Sequence, residues 1–86
     1  MSWVFTVDAP DESAAYDLAR GGLTVYDPAV VSVWGRWKVQ IRGAESDRHA
    51  IEGMISTWLR RQGLAETTIE ALGVTATVLA RPNPTH

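Results

Sequence analysis

The segment Val30-Val31-Ser32-Val33-Trp34-Gly35-Arg36-Trp37-Lys38-Val39-Gln40-Ile41-Arg42 alternates in polarity from end to end. Its odd positions are Val31, Val33, Gly35, Trp37, Val39 and Ile41. Its even positions are Val30, Ser32, Trp34, Arg36, Lys38, Gln40 and Arg42. Successive side chains of a strand point to opposite faces. The run therefore predicts extended structure with one apolar, buried side and one basic, presented side that carries Trp34.

Gly35 leaves two readings. The run is one long strand in which Gly35 marks a bulge or a close backbone approach, or Gly35-Arg36 is the two-residue turn of a hairpin. The hairpin would put Trp34 and Trp37 on one face but set Val31 and Val33 opposite Gln40 and Lys38. Strict alternation through Gly35 favours the single strand, with Trp34 exposed and Trp37 buried on opposite faces.

The neighbouring segments supply the layer that covers the apolar side. Trp3, Phe5 and Val7 alternate with Ser2, Val4 and Thr6, which predicts a first strand. Asp8 to Glu12, with Pro10 and two acids, reads as a helix start. The helix runs to about Arg20 and stops at Gly21-Gly22, and its inner stripe is Ala14, Ala15 and Leu18. Leu23 to Tyr26 is a short strand candidate, closed by the turn Asp27-Pro28. Glu45 to Gln62 predicts the clearest helix. Ile51, Met54, Ile55, Trp58 and Leu59 form its inner stripe, and Glu45, His49, Glu52, Ser56 and Arg60 its outer one. Gly63 stops it. A last strand is expected over residues 73–80.

The order β-α-β-β-α-β is the split arrangement of ferredoxin-like domains, an α+β fold with two helices on one face of a four-stranded antiparallel sheet. Residues 1–80 form the single domain and 81–86 a frayed tail. The expected core is Trp3, Phe5, Val7, Val31, Val33, Trp37, Val39, Ile41, Ile51, Ile55, Trp58, Val74, Ala76 and Val78.

Composition narrows function by exclusion. With 86 residues, a net charge of −2 and a pI of about 5.5, the chain lacks a general affinity for nucleic acid or anionic membranes. It has no Cys, hence no thiolate zinc site or thiol nucleophile. No segment reads as a signal peptide or a membrane span, so the expectation is a cytoplasmic protein with no membrane partner. Abundant Ala and a strong preference for Arg over Lys fit a GC-rich bacterial or phage coding sequence.

The candidate binding residues are Trp34, Arg36, Lys38, Gln40 and Arg42. No acid occurs between Asp27 and Glu45, so this face is locally positive on an acidic chain. An aromatic among cations fits a protein partner's pocket or stacks on a base. The expected role is a non-enzymatic protein–protein interaction or oligomerisation module, self-associating through the open sheet face or an exposed strand edge. The alternative is a nucleic-acid-binding accessory protein using the same face. Third is a small dimeric ferredoxin-like enzyme with His49 or Tyr16 as acid–base group.

Other constellations are weak. Glu45, His49 and Glu52 lie at ligand spacing but on one exposed helix face, without a shaped cavity. Ser46, Ser56 and His49 share that helix with no strained elbow to position a nucleophile. No catalytic residue, metal site or cofactor is expected. Tyr16 and Arg20, four apart on the first helix, are placed to stack on each other.

Overall fold

In the computed structural model residues 3–80 are described; Met1, Ser2 and the expected tail, 81–86, lie outside them. The elements are β1 (Trp3–Ala9), α1 (Glu12–Arg20), a 3-10 turn (Gly22–Tyr26), β2 (Ala29–Val33), β3 (Arg36–Gly43), a second 3-10 turn (Glu45–Asp47), α2 (Arg48–Gln62), β4 (Glu66–Ala71) and β5 (Val74–Leu79). They make an α+β fold with two helices and one antiparallel sheet in the order β2-β3-β1-β4-β5. The described sheet has five strands, not the expected four.

Two turns each add a strand, and the strand expected at Leu23 to Tyr26 is absent. Trp34 and Gly35 have φ of 55° and 76°, and Leu72 and Gly73 have φ of 53° and 79°. Positive φ at both central residues is the type I′ hairpin turn, whose twist matches that of the strands it joins. Residues 30–42 are therefore a hairpin that turns at Trp34-Gly35, one residue earlier than the hairpin reading placed it. The single-strand reading fails because a two-residue turn reverses which parity faces the core. Val31 pairs with Lys38 and Val33 with Arg36, on the open face, whereas Val30 pairs with Val39 and Ser32 with Trp37. Val33 accordingly leaves the predicted core and is 46% exposed.

The same event splits the C-terminal segment. Residues 66–79 form β4 and β5 around Leu72-Gly73, where one strand over 73–80 was expected. Val74, next to that turn, is exposed rather than core. Leu23 to Tyr26 forms the 3-10 turn instead of a strand, and Leu23 is fully buried.

The core lies between the helices and one sheet face. Phe5 and Val7 of β1, Val39 and Ile41 of β3, Ile69 of β4 and Val78 of β5 share that face by register. Against them pack Ala14, Ala15 and Leu18 of α1 and Ile51, Ile55, Trp58 and Leu59 of α2. The alanines let α1 approach closely, and Trp58, fully buried, donates its indole N–H to the Ala14 carbonyl at 2.9 Å. A buried indole needs such a partner, and this one fixes the two helices against each other. Asp11 caps α1 by accepting from the Ala14 N–H at 2.8 Å. Gly63, with φ of 71°, ends α2 as expected.

Candidate interaction surface

The sheet face without helices carries the predicted residues Arg36, Lys38, Gln40 and Arg42, all on β3. Trp34 is not among them. It sits at the tip of the β2–β3 hairpin, 97% exposed, while Trp37 turns to the helix side and is half-buried. Trp34 is thus more exposed than Trp37, but the cause is the turn and not alternation along one strand.

The local chain explains why Trp34 is presented. A type I′ turn favours Asn, Asp or Gly at its first central position. A bulky L-residue in the left-handed region crowds its own carbonyl, at a cost of about 1–2 kcal/mol. The side chain at this tip is almost wholly exposed. Trp34 therefore gains no burial in return for that strain.

The charge on β3 is partly neutralised within the sheet. Lys38 Nζ lies 2.9 Å from Asp8 Oδ1 on β1. Thr68 of β4 donates to Asp8 Oδ2, and Thr67 donates to the Asp8 carbonyl, each at 2.7 Å. Burial alone would raise the Asp8 carboxyl. The hydrogen bonds from Lys38 and Thr68, with the charges of Lys38 and Arg36, outweigh it and hold the pKa below the ordinary value. Across the same face, β4 adds Glu66 and Glu70, both exposed. The face is basic on the β3 side and acidic on the β4 side, which no single segment of the sequence reveals.

Apolar groups also reach this surface. Val33 and Val4 are 46% and 43% exposed, and Leu79 of β5 is 61% exposed. Leu72 occupies the other hairpin tip, 69% exposed. Because β1 runs antiparallel to both β3 and β4, the two tips lie at opposite ends of the sheet.

The remaining candidates do not converge. His49 is exposed on α2, and Tyr16 is exposed on α1 with the Arg20 guanidinium 5.6 Å from its ring centre. Ser56 was assigned to the outer side of α2 but is buried, donating to the Leu79 carbonyl at 2.6 Å. Glu52 pairs with Arg48 at 3.0 Å. Among the described residues no group of His, Cys, Asp or Glu is arranged to hold a metal ion. Two shallow grooves run along single helices, one lined by Glu12, Tyr16 and Arg20 and the other by Ala50, Met54 and Thr57. No helix among the described residues is long and apolar enough to cross a membrane.

The fold and surface define the class only as a small α+β domain with an open, charge-divided sheet face. No protein-family model, curated protein or solved structure matches the chain.

Proposed function

We propose that this chain is a protein–protein interaction module whose recognition element is the Trp34 corner, flanked by Arg36. The observation that carries this reading is the presentation of Trp34. It is almost fully exposed, held in a strained conformation, and mounted on a two-residue turn whose second strand lies inside the sheet. Strain without internal compensation points to a use outside the fold. Trp and Arg dominate binding energy at interfaces, and a rigid mount lowers the entropy lost on docking. The matching partner surface is an apolar pocket with an acidic rim. The order β2-β3-β1-β4 supports a ferredoxin-like core, to which β5 is an added edge strand.

Nucleic acid is the second reading, because an exposed Trp beside cations is also a stacking platform. The pairing of Lys38 with Asp8, and Glu66 and Glu70 on the same face, weigh against it. Affinity capture from lysate at moderate salt separates the two. A protein partner retained by wild type and by Leu72→Ala, but weakened about tenfold by Trp34→Ala at unchanged melting temperature, is the expected result. Retention of oligonucleotides that falls steeply with salt would favour nucleic acid. Equal retention by Trp34→Ala and wild type would end the Trp34 reading.

A further inference from the structure

We infer that the free edge of β5 pairs antiparallel with β5 of a second copy of the chain, joining two sheets across a two-fold axis at Ala76. This rests on the edge strand alone and does not depend on the role given to Trp34.

Edge strands offer unpaired N–H and C=O groups, and proteins protect them with charges, prolines or a covering element. From Ala71 to Ala80 the chain has no charge and no proline. The opposite edge, β2, is also uncharged, but it is shorter and is entered through Asp27-Pro28. In β5 the residues Val74, Thr75, Thr77 and Leu79 are all exposed.

The hairpin fixes which groups are free. In a two-residue hairpin the closing pair, here Ala71 and Val74, exchanges hydrogen bonds, and the pattern then alternates. The Ala80 N–H donating to the Ala65 carbonyl at 2.9 Å agrees with that phase. Ala76 and Val78 therefore bond to β4, while Thr75, Thr77 and Leu79 turn their backbone groups outward. The Leu79 carbonyl already accepts from Ser56. Among the described residues Thr75 and Thr77 are left with a free donor and a free acceptor each.

One register uses all four of these groups. Centred on Ala76, it sets Thr75 of each copy against Thr77 of the other, closing four backbone hydrogen bonds per dimer. Both registries of side chains match. Thr meets Thr on the open face, and Val74 meets Val78 on the helix face, which are favourable cross-strand pairs. A register centred on Thr77 would instead require the Leu79 carbonyl that Ser56 occupies. Because α2 lies over β4 and β5, the two α2 helices would face each other across the axis. The contact is at the small end of specific interfaces, so the dimer is concentration-dependent. Both Trp34 corners remain at the outer ends of the joined sheet.

Two measurements test this on the full chain. Sedimentation up to millimolar concentration should show a monomer–dimer equilibrium. Thr75→Lys/Thr77→Lys places lysines directly opposite one another and should weaken the dimer at least about tenfold. Mixing that variant with Thr75→Glu/Thr77→Glu should restore a heterodimer. Independently, Ala76→Cys in this cysteine-free chain should form a disulfide-linked dimer on mild oxidation. Its two Cα atoms would lie about 4.5 Å apart, within disulfide range. Ser32→Cys on the β2 edge is the control and should stay uncrosslinked. A monomer throughout the series, or crosslinking by Ser32→Cys in preference to Ala76→Cys, would overturn the proposal. A monomer that pairs instead with an extended peptide would overturn it too.

Discussion

Trp34-Gly35 and Leu72-Gly73 are the same turn built twice, at opposite ends of the sheet, on hairpins held in different ways. β3 pairs with β1 along seven positions, from Trp3↔Gly43 to Ala9↔Trp37. β4 pairs with β1 at Thr6↔Glu70 and Val7↔Ile69 only. The second hairpin makes up the deficit with side chains. Thr67 and Thr68 reach Asp8, and Ser56 of α2 holds the end of β5. One tip is thus mounted on a strand paired with β1 along its length, and the other on a strand paired with β1 at two positions. A presented Trp is more useful on the stiffer mount. The looser hairpin carries the longer edge strand.

The largest effect should erase the comparison. Trp58→Ala removes a fully buried indole and its bond to Ala14, which join the helices covering both hairpins. It should cost about 3–5 kcal/mol, with both hairpins melting together in urea. Survival of the β2–β3 hairpin after loss of β4–β5, seen as two transitions, would mean that the halves are separate cooperative units.

Ser56→Ala should act on one side only. It strips the side-chain bond from the Leu79 carbonyl, worth about 1–1.5 kcal/mol, and adds no bulk. Hydrogen exchange should accelerate in β4 and β5 while amides of β2 and β3 keep their protection relative to global stability. Uniform acceleration across the sheet would show that the second hairpin is no less anchored than the first.

The tips themselves should respond alike. Trp34→Asn and Leu72→Asn each replace a bulky residue with one that tolerates left-handed backbone. Each should raise stability by about 0.5–1 kcal/mol. If Leu72→Asn stabilises and Trp34→Asn does not, Trp34 has contacts within the fold that repay its strain, and its availability to a partner is reduced.

These tips also explain what was legible in the sequence. The first strand, both helices, the helix stops, the buried stripe of α1 and the pillar Trp58 followed from periodicity and capping. Both hairpin turns were missed for one reason. Their signature is Asn-Gly or Asp-Gly, and here Trp and Leu stand in the first position, so Gly35 reads as a strand bulge or the start of a Gly35-Arg36 turn, and Gly73 as the start of the last strand. Shifting a register by one residue exchanges the faces. Val31 and Val33 were consequently assigned to the core, although they lie on the open face; Val74 keeps the helix face and is exposed because it adjoins the turn. Ser56 was misplaced because helical spacing marks a side but not what packs there. Arg36, Lys38, Gln40 and Arg42 were correctly grouped, since they share one strand. The acids that divide their face could not be seen, because β4 reaches it only through the strand order.

The smallest effect concerns Asp8, where the two hairpins meet. Its carboxylate joins Lys38 of the first to Thr68 of the second through β1. Its folded pKa lies below the reference value of 3.8, so the unfolded chain binds the proton more readily. The contribution to stability is therefore complete above that value and is lost as pH falls through the folded pKa. Asp17 is shifted the same way, chiefly by the hydrogen bond from Arg61 on α2. Asp8 and Lys38 side chains are 47% and 30% exposed, so solvent screening limits the Asp8 share to about 0.3–0.5 kcal/mol. Urea midpoints followed from neutral pH to pH 3 should fall less for Asp8→Asn than for wild type, leaving the Asp17 portion. Asp17→Asn should remove that remainder without altering exchange in the sheet. An unchanged acid profile for Asp8→Asn would mean that the two hairpins are joined by backbone pairing to β1 alone, with no electrostatic tie between them.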